Sequence, residues 1–250
     1  NGLAFRAKSS YRTVAVPTHS NFNLGVRPVR TDASTTGSLA TSNLIVVTQE
    51  SPALASPTAV SITATSAALG GDVTTDGGAT ITERGIVYSV TAANNNPLIG
   101  GTGVTKVAGT GTTGVFTVAV TGLTPGTGYS YKAYAINSQG TSYTSVATFT
   151  TLSTNADLSA LTLSSGPLSP TFASGTTAYT ASVANAVSSI TVTPTRAQAD
   201  ATTEARVNGG TYAAVTSGSA SGTLALNVGS NTVEVRVTAQ DGVTQKTYTV

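Results

Sequence analysis

Cysteine, methionine and tryptophan are absent from this 250-residue chain, and histidine occurs once, as His19. Without cysteine there is no disulfide framework, thiol nucleophile or thiolate metal site, and without methionine there is no soft, adaptable binding groove. Charge is sparse as well: Asp, Glu, Lys and Arg make up 9% of residues against 39% hydrophobic ones. Long helices draw on Glu, Lys and Leu, so a Thr-rich chain this poor in charge points to strands. No run of about 20 apolar residues is present to span a bilayer, and no basic-then-apolar leader opens the chain. The first residue is Asn1 rather than Met, and the expectation is a processed or truncated N-terminus.

The charge that is present is unevenly placed. Arg6, Lys8, Arg12, Arg27 and Arg30 precede residue 31 with no acid among them, whereas the remainder holds more acids than bases. These five cations are candidate electrostatic contacts, able to steer one copy's head toward another copy's body, and a solvated surface is the plainer reading. Residues 31–56 read as a Ser/Thr/Ala-rich linker interrupted by Leu44-Ile45-Val46-Val47. That β-branched run predicts a strand over 43–48, either an ordinary edge strand or one donated to another copy. With Phe22, Leu24 and Val26 of the opening segment, Leu44, Ile45, Val46 and Val47 are the candidate self-association residues.

From Pro57 the pattern turns regular. Strands are expected in "AVSITATS", "AALGGDVTT", "ITERGIVYS", "VFTVAVTGL", "YSYKAYAINS" and "SYTSVATFTT", separated by Gly, Asn and Pro clusters. Two-residue periodicity puts Tyr129, Tyr131, Ala133 and Ala135 on one face and Ser130, Lys132 and Tyr134 on the other, which predicts a half-exposed antiparallel sheet. The Gly-rich segment 100–114 contains Lys106 but lacks the order of a phosphate-binding loop and reads as a long connection.

The residues Leu123, Pro125 and Tyr129 in "LTPGTGYSYKAYAINSQG", with "ITERGIVYS" before them, resemble the tyrosine corner and neighbouring strands of bacterial fibronectin type III-like domains. The resemblance covers 57–151 and implies that the Tyr129 hydroxyl ties down the preceding turn. Leu69 stands where that family often carries a core tryptophan. Residues 155–250 resemble cadherin-like β-sandwich domains of bacterial surface proteins, through Leu158, Leu161, Leu163, Leu168, Pro170, Phe172, Tyr179 and Val183. There Val233, Val235 and Val237 are expected to point inward and Asp241-Gly242 to form a hairpin turn before Tyr248 and Val250. The return strand stops at Val250, earlier than is usual in that family, so the expectation is a cut C-terminus or a strand completed by a neighbour. The acids nearest one another, Asp72 with Asp76 and Asp200 with Glu204, lack the convergent oxygens of a calcium site. The opening "YRTVAVPTHSNFNLGVRPVR" resembles the closing strands of the formylglycine-generating, sulfatase-modifying enzyme family at Asn23, Gly25, Arg27, Val29 and Arg30, with Val26 in place of Phe. It implies that 1–30 is a remnant or tail of such a domain, without its cysteines and hence without its chemistry.

The fold class expected is therefore all-β: tandem Ig-like, fibronectin type III-like β-sandwiches with a short N-terminal β remnant. His19 lies in a polar stretch with no triad pattern around it, so no catalytic, cofactor or metal residue is assigned. Tyr88, Tyr134, Tyr143 and Tyr212 are candidates for stacking on sugars, with cross-strand packing the favoured reading. The function expected is a secreted or cell-surface structural or adhesive protein, not an enzyme, self-associating through its N-terminal segment into an extracellular fibre as a homo-oligomer or homopolymer. The alternative is a carbohydrate-binding or spacer module of a larger secreted bacterial enzyme, with polysaccharide as partner. No cofactor, nucleic acid partner or transmembrane segment is expected.

Overall fold

The computed structural model describes residues 48–250, all of them in strands, turns and irregular segments. The fold is all-β, two Ig-like sandwiches in series. Among the described residues no helix is long and apolar enough to cross a membrane. The candidate contacts Arg6, Lys8, Arg12, Arg27 and Arg30, the candidate self-association residues Phe22, Leu24, Val26, Leu44, Ile45, Val46 and Val47, the remnant 1–30 and His19 lie outside the described residues, as does the expected strand 43–48 up to its last residue, Thr48.

In the first sandwich, β1 (Ala53–Val60), β2 (Ser66–Thr75) and β5 (Gly114–Thr121) form one sheet in the order β1-β2-β5. The facing sheet runs β4 (Thr105–Ala108), β3 (Glu83–Val90), β6 (Gly128–Asn137) and β7 (Gly140–Tyr143), with β8 (Ala147–Thr150) pairing the other half of β6. β1 begins at Ala53, within the stretch read as linker, and its register breaks at Ala53/Leu54 and Ala55/Thr58, around Ser56 (φ 51°) and Pro57. "SYTSVATFTT" divides into β7 and β8 because Thr144 takes a ladder position with its side chain: Ala133 N–H donates to Thr144 Oγ1 at 3.1 Å, while Thr144 N–H donates to Ala133 O at 2.9 Å.

Leu69, Val73, Ile86, Phe116, Val118, Val120, Leu123, Tyr129, Tyr131 and Phe149 fill the space between the two sheets. Leu69 is fully buried at the position noted for the missing tryptophan. Ring volume comes instead from Tyr129 stacked on Phe149 at 5.4 Å, with Tyr131 edge-on to Phe149 at 5.9 Å and Tyr88 edge-on to Tyr129 at 6.1 Å. Gly71 admits the close approach of the sheets, since an added Cβ would lie 2.5 Å from the Ala133 Cβ.

The expected half-exposed sheet is corrected by the structure. Tyr129, Tyr131, Ala133 and Ala135 do line the core, but Val87, Ser89, Ser130 and Tyr134 on the opposite face are buried too. Residues 91–104 cover that face, held by Ser89 Oγ to Gly103 O at 2.8 Å and by Ile99 N–H to Tyr143 Oη at 3.2 Å. The long connection read at 100–114 likewise contains β4, whose pairing with β3 the Gly-rich composition disguised.

In the second sandwich, β9 (Leu158–Leu163) pairs β11 (Val192–Arg196), and β10 (Ser189–Ile190), just ahead of β11, pairs β14 (Leu224–Ala225). The facing sheet runs β13 (Ala213–Ala214), β12 (Thr202–Val207), β15 (Val233–Thr238), β16 (Gln245–Thr249). Val233, Val235 and Val237 are buried with Leu158, Leu161, Val192 and Tyr248, as their period-two spacing requires. Asp241-Gly242 makes the expected turn: Asp241 Oδ1 accepts from the amides of Val243 and Thr244, and Gly242 adopts φ 72°.

Between β9 and β10 lies a long excursion whose order comes largely from two tyrosine hydroxyls. Tyr179 Oη accepts from Ala173 N–H at 3.1 Å and lies 2.8 Å from the carbonyls of Ala173 and Thr176. Tyr248 Oη accepts from Leu158 N–H and donates to Ser174 O, both at 3.0 Å. The excursion then runs parallel to β16, with Tyr179 N–H donating to Thr249 O and Thr249 N–H to Thr177 O.

Candidate functional site

The joint between the sandwiches is built from backbone. Leu152 belongs to the first sandwich: its N–H donates to Thr63 O at 3.0 Å and its carbonyl accepts from Gly126 N–H at 3.1 Å. Ser153, the next residue, belongs to the second: its N–H donates to Gln240 Oε1 at 2.9 Å and its carbonyl accepts from Asp241 N–H at 3.2 Å. Two successive residues tied in opposite directions leave little free backbone between the domains, unlike the flexible Gly/Ser linkers that join independent modules. The Tyr129 corner lies beside this joint, its hydroxyl accepting from Thr124 N–H at 2.9 Å, which ties down the preceding turn as the resemblance carried by Leu123, Pro125 and Tyr129 implied.

A second construction is Arg84, buried with no carboxylate partner among the described residues. Its guanidinium sits 4.5 Å over the Phe116 ring and donates to the carbonyls of Thr110, Thr112, Thr113 and Gly114 at 2.7 to 3.1 Å. Burial pushes its pKa down from the usual arginine value. The planar fork suits several carbonyls at once, which a lysine would not. The result is a pinned crossing from β4 to β5, a structural rather than chemical use of the charge.

On the outer face of the same sandwich, Glu83 holds both Lys106 Nζ at 2.6 Å and the Tyr134 hydroxyl. Those two partners, Lys106 first, hold the Glu83 carboxyl below its usual range. Burial, with Glu83 adding to it, pushes the Tyr134 phenol well above its ordinary value. Tyr134 lies flat because its cross-strand partner is Gly85, where an added Cβ would stand 2.8 Å from the hydroxyl. It is fully buried, in keeping with the cross-strand packing favoured for it over a sugar platform. Tyr88 packs on Tyr129, and Tyr143 tilts against Tyr134.

Tyr212 is likewise occupied. On the second sandwich, cross-strand neighbours pair as Arg206 with Glu234 (2.5 and 3.0 Å) and Arg236 with Glu204 (2.6 and 3.2 Å). Both guanidiniums rest on the Tyr212 ring, 4.3 and 4.0 Å from its centroid. The ion pair with Arg206 lowers the Glu234 pKa, and the same bond raises that of Arg206. Glu204, read with Asp200 as a weak acidic pair, is thus spent on Arg236, and Asp157 on Lys246 at 2.7 Å. Among the described residues no cluster of three His, Asp or Glu side chains stands ready for a metal.

One cleft, about 370 Å³, opens where β9, β14 and β16 end, lined by Leu163, Ile190, Leu226, Val233 and Val250 with Ser182 and Asn231. Its lining carries no acidic, basic or histidine side chain, and hydroxyl and amide groups of Ser165, Thr180, Ser182, Ser230 and Asn231 share it about equally with apolar surface. Sequence reading did not find it, because it is assembled from strand ends far apart in the chain.

These features define a class: a tandem of Ig-like β-sandwiches whose polar groups are used mainly to hold loops. More particularly, residues 158–250 match the cadherin-like beta sandwich domain family. No curated protein matches the chain. Among solved structures the chain is similar to the sensor domain of the anti-sigma factor RsgI4 from Pseudobacteroides cellulosolvens (23% identity, 41% of this chain and 95% of that one, TM-score 0.31). It is also similar to a myokine (20%, 42% and 98%, 0.30) and to domains A168–A170 of titin (19%, 41% and 32%, 0.31).

Proposed function

We propose that the chain is a secreted or cell-surface structural protein whose tandem sandwiches act as a stiff spacer and whose N-terminal segment drives self-association into an extracellular fibre. The observation that carries the spacer reading is the joint: Leu152 and Ser153 are bonded by their backbones to opposite sandwiches. A repeating rod needs such a fixed angle, because contacts between copies propagate a filament only if each copy presents its surfaces in a constant relation.

Other features support it. The first sandwich has the tyrosine-corner bond that the resemblance of 57–151 to fibronectin type III-like domains implied. The second carries the cadherin-like match, a fold of surface modules. In the described residues Lys106, Arg206, Arg236 and Lys246 are neutralised by neighbouring carboxylates, which leaves the clustered cations of 1–30 as the strongest unbalanced charge in the sequence. On this reading 1–30, with its likeness to the end of a sulfatase-modifying-enzyme-type domain, serves assembly and not catalysis, and the protein is not an enzyme.

Sedimentation velocity over a concentration series tests the proposal. The full chain is expected to form large species at low salt, and Ile45→Lys/Val46→Lys is expected to abolish them. A full chain that stays small at every concentration rejects the fibre, and assembly indifferent to these substitutions moves it away from Leu44 to Val47.

A further inference from the structure

Each sandwich must dispose of its sheet edges, since an open edge offers unpaired N–H and C=O groups to any passing strand. Most edges here are blunted. β1 is broken by Ser56, Pro57 and two register shifts. β4 is four residues long and carries Lys106, and β7 and β8 are four residues each with an interruption at Thr144. In the second sandwich β13 and β14 have two residues each, and β16 is flanked by 177–179 and carries Lys246. β9, at six residues, is bounded by the Asp157–Lys246 ion pair.

β5 has none of these devices. It is eight residues long, "GVFTVAVT", and among the described residues it pairs only with β2, in unbroken register from Ser66↔Thr121 to Val73↔Gly114. It contains no charge and no proline. Its inward side chains Phe116, Val118 and Val120 are buried, and its outward row Val115, Thr117, Ala119 and Thr121 is exposed, Val115 at 74%.

We propose that the edge of β5 is a homotypic interface, at which a second copy adds its own β5 antiparallel about a two-fold axis to give one continuous sheet across two molecules. Antiparallel pairing suits a two-fold, because each strand then meets the other in the same way. The side-chain period fixes the register further: outward residues must oppose outward residues, or the core-facing row would be turned to solvent. The pairing centred on the strand sets Thr117 opposite Thr117 and Val115 opposite Ala119, small or β-branched partners that pack on a pleated surface. An edge free of charge brings no like charges together when it meets itself, a condition that β4 and β16, with their lysines, fail. The contact is a narrow one, of the class that gives a reversible monomer–dimer equilibrium.

The absence of cysteine makes the test direct. In the full chain, Thr117→Cys is expected to form a disulfide-linked dimer under mild oxidation, and Thr148→Cys, equally exposed on β8, is expected to remain monomeric. Thr117→Lys/Ala119→Lys is expected to abolish the dimer in sedimentation equilibrium with folding intact by circular dichroism, whereas Thr148→Lys/Thr150→Lys retains it. Cross-linking of Thr117→Cys no faster than that of Thr148→Cys overturns the proposal, as does a dimer that lysines on β5 leave unaffected in the full chain carrying Ile45→Lys/Val46→Lys, where assembly through the N-terminal segment is removed. Because the disulfide reports on β5 alone, both readings hold whether or not the N-terminal segment also assembles.

Discussion

The two sandwiches solve the same problem with different materials. The first relies on long ladders, with β2 and β6 of ten residues each, and on a stack of tyrosine and phenylalanine rings. The second has strands as short as two residues, a core rich in valine, and tyrosines used as much for their hydroxyls as for their rings. Where the ladder is long, backbone hydrogen bonds define the fold and side chains fill it. Where it is short, side chains must also supply hydrogen bonds to backbone that no strand satisfies. Neither domain has a disulfide to fall back on.

The largest effect should come from removing ring volume in the first sandwich. Tyr131→Ala is expected to cost about 3–5 kcal/mol, the range for deleting a large buried aromatic. Native-state hydrogen exchange should show amides of β2, β3, β5 and β6 losing protection while those of β12 and β15 keep theirs. Equal loss in both would show that the joint makes one cooperative unit of the pair. Next comes Tyr248→Phe, which leaves the ring and removes the bonds to Leu158 N–H and Ser174 O. It is expected to cost about 1–3 kcal/mol, because buried polar groups lose their partner, and to free the 164–188 excursion first. The matching change in the first sandwich, Tyr129→Phe, removes the single bond from Thr124 N–H and should cost about 1 kcal/mol. A larger effect for Tyr129 than for Tyr248 would undo the contrast drawn between the domains.

The surface pairs rank lowest. Glu204→Gln is expected to cost about 0.2–1 kcal/mol in urea titration, and less at high salt, because partly exposed ion pairs are screened. The pH dependence follows the same division. Glu83 and Glu234 titrate lower in the folded state, so their contribution is present above about pH 4.3 and is lost as pH falls through their folded pKa values. Tyr134 and Lys246 titrate higher when folded, so theirs is present below about pH 10 and is lost as pH rises through their folded values. Thermal melts should therefore decline at both extremes, and Glu83→Gln should flatten the acid limb for the first sandwich alone.

The sequence alone determined what local chemistry can dictate. Period-two valines placed Val233, Val235 and Val237 inside, Asp241-Gly242 marked its turn, and the family resemblance carried by Leu123, Pro125 and Tyr129 implied a tie from the Tyr129 hydroxyl to the preceding turn, because each depends on residues close in the chain. Tertiary structure decided the rest. Tyr134 read as exposed until Gly85, 49 positions earlier, was found beneath it and the loop 91–104 beside it. Arg84 was an unremarked cation until β4 and β5 brought four carbonyls to it, and β5 became the open edge among the described residues only when the other strands there had taken their places. Periodicity tells a residue which face of its strand it occupies; which neighbour covers that face depends on contacts between distant segments, and those no local pattern encodes.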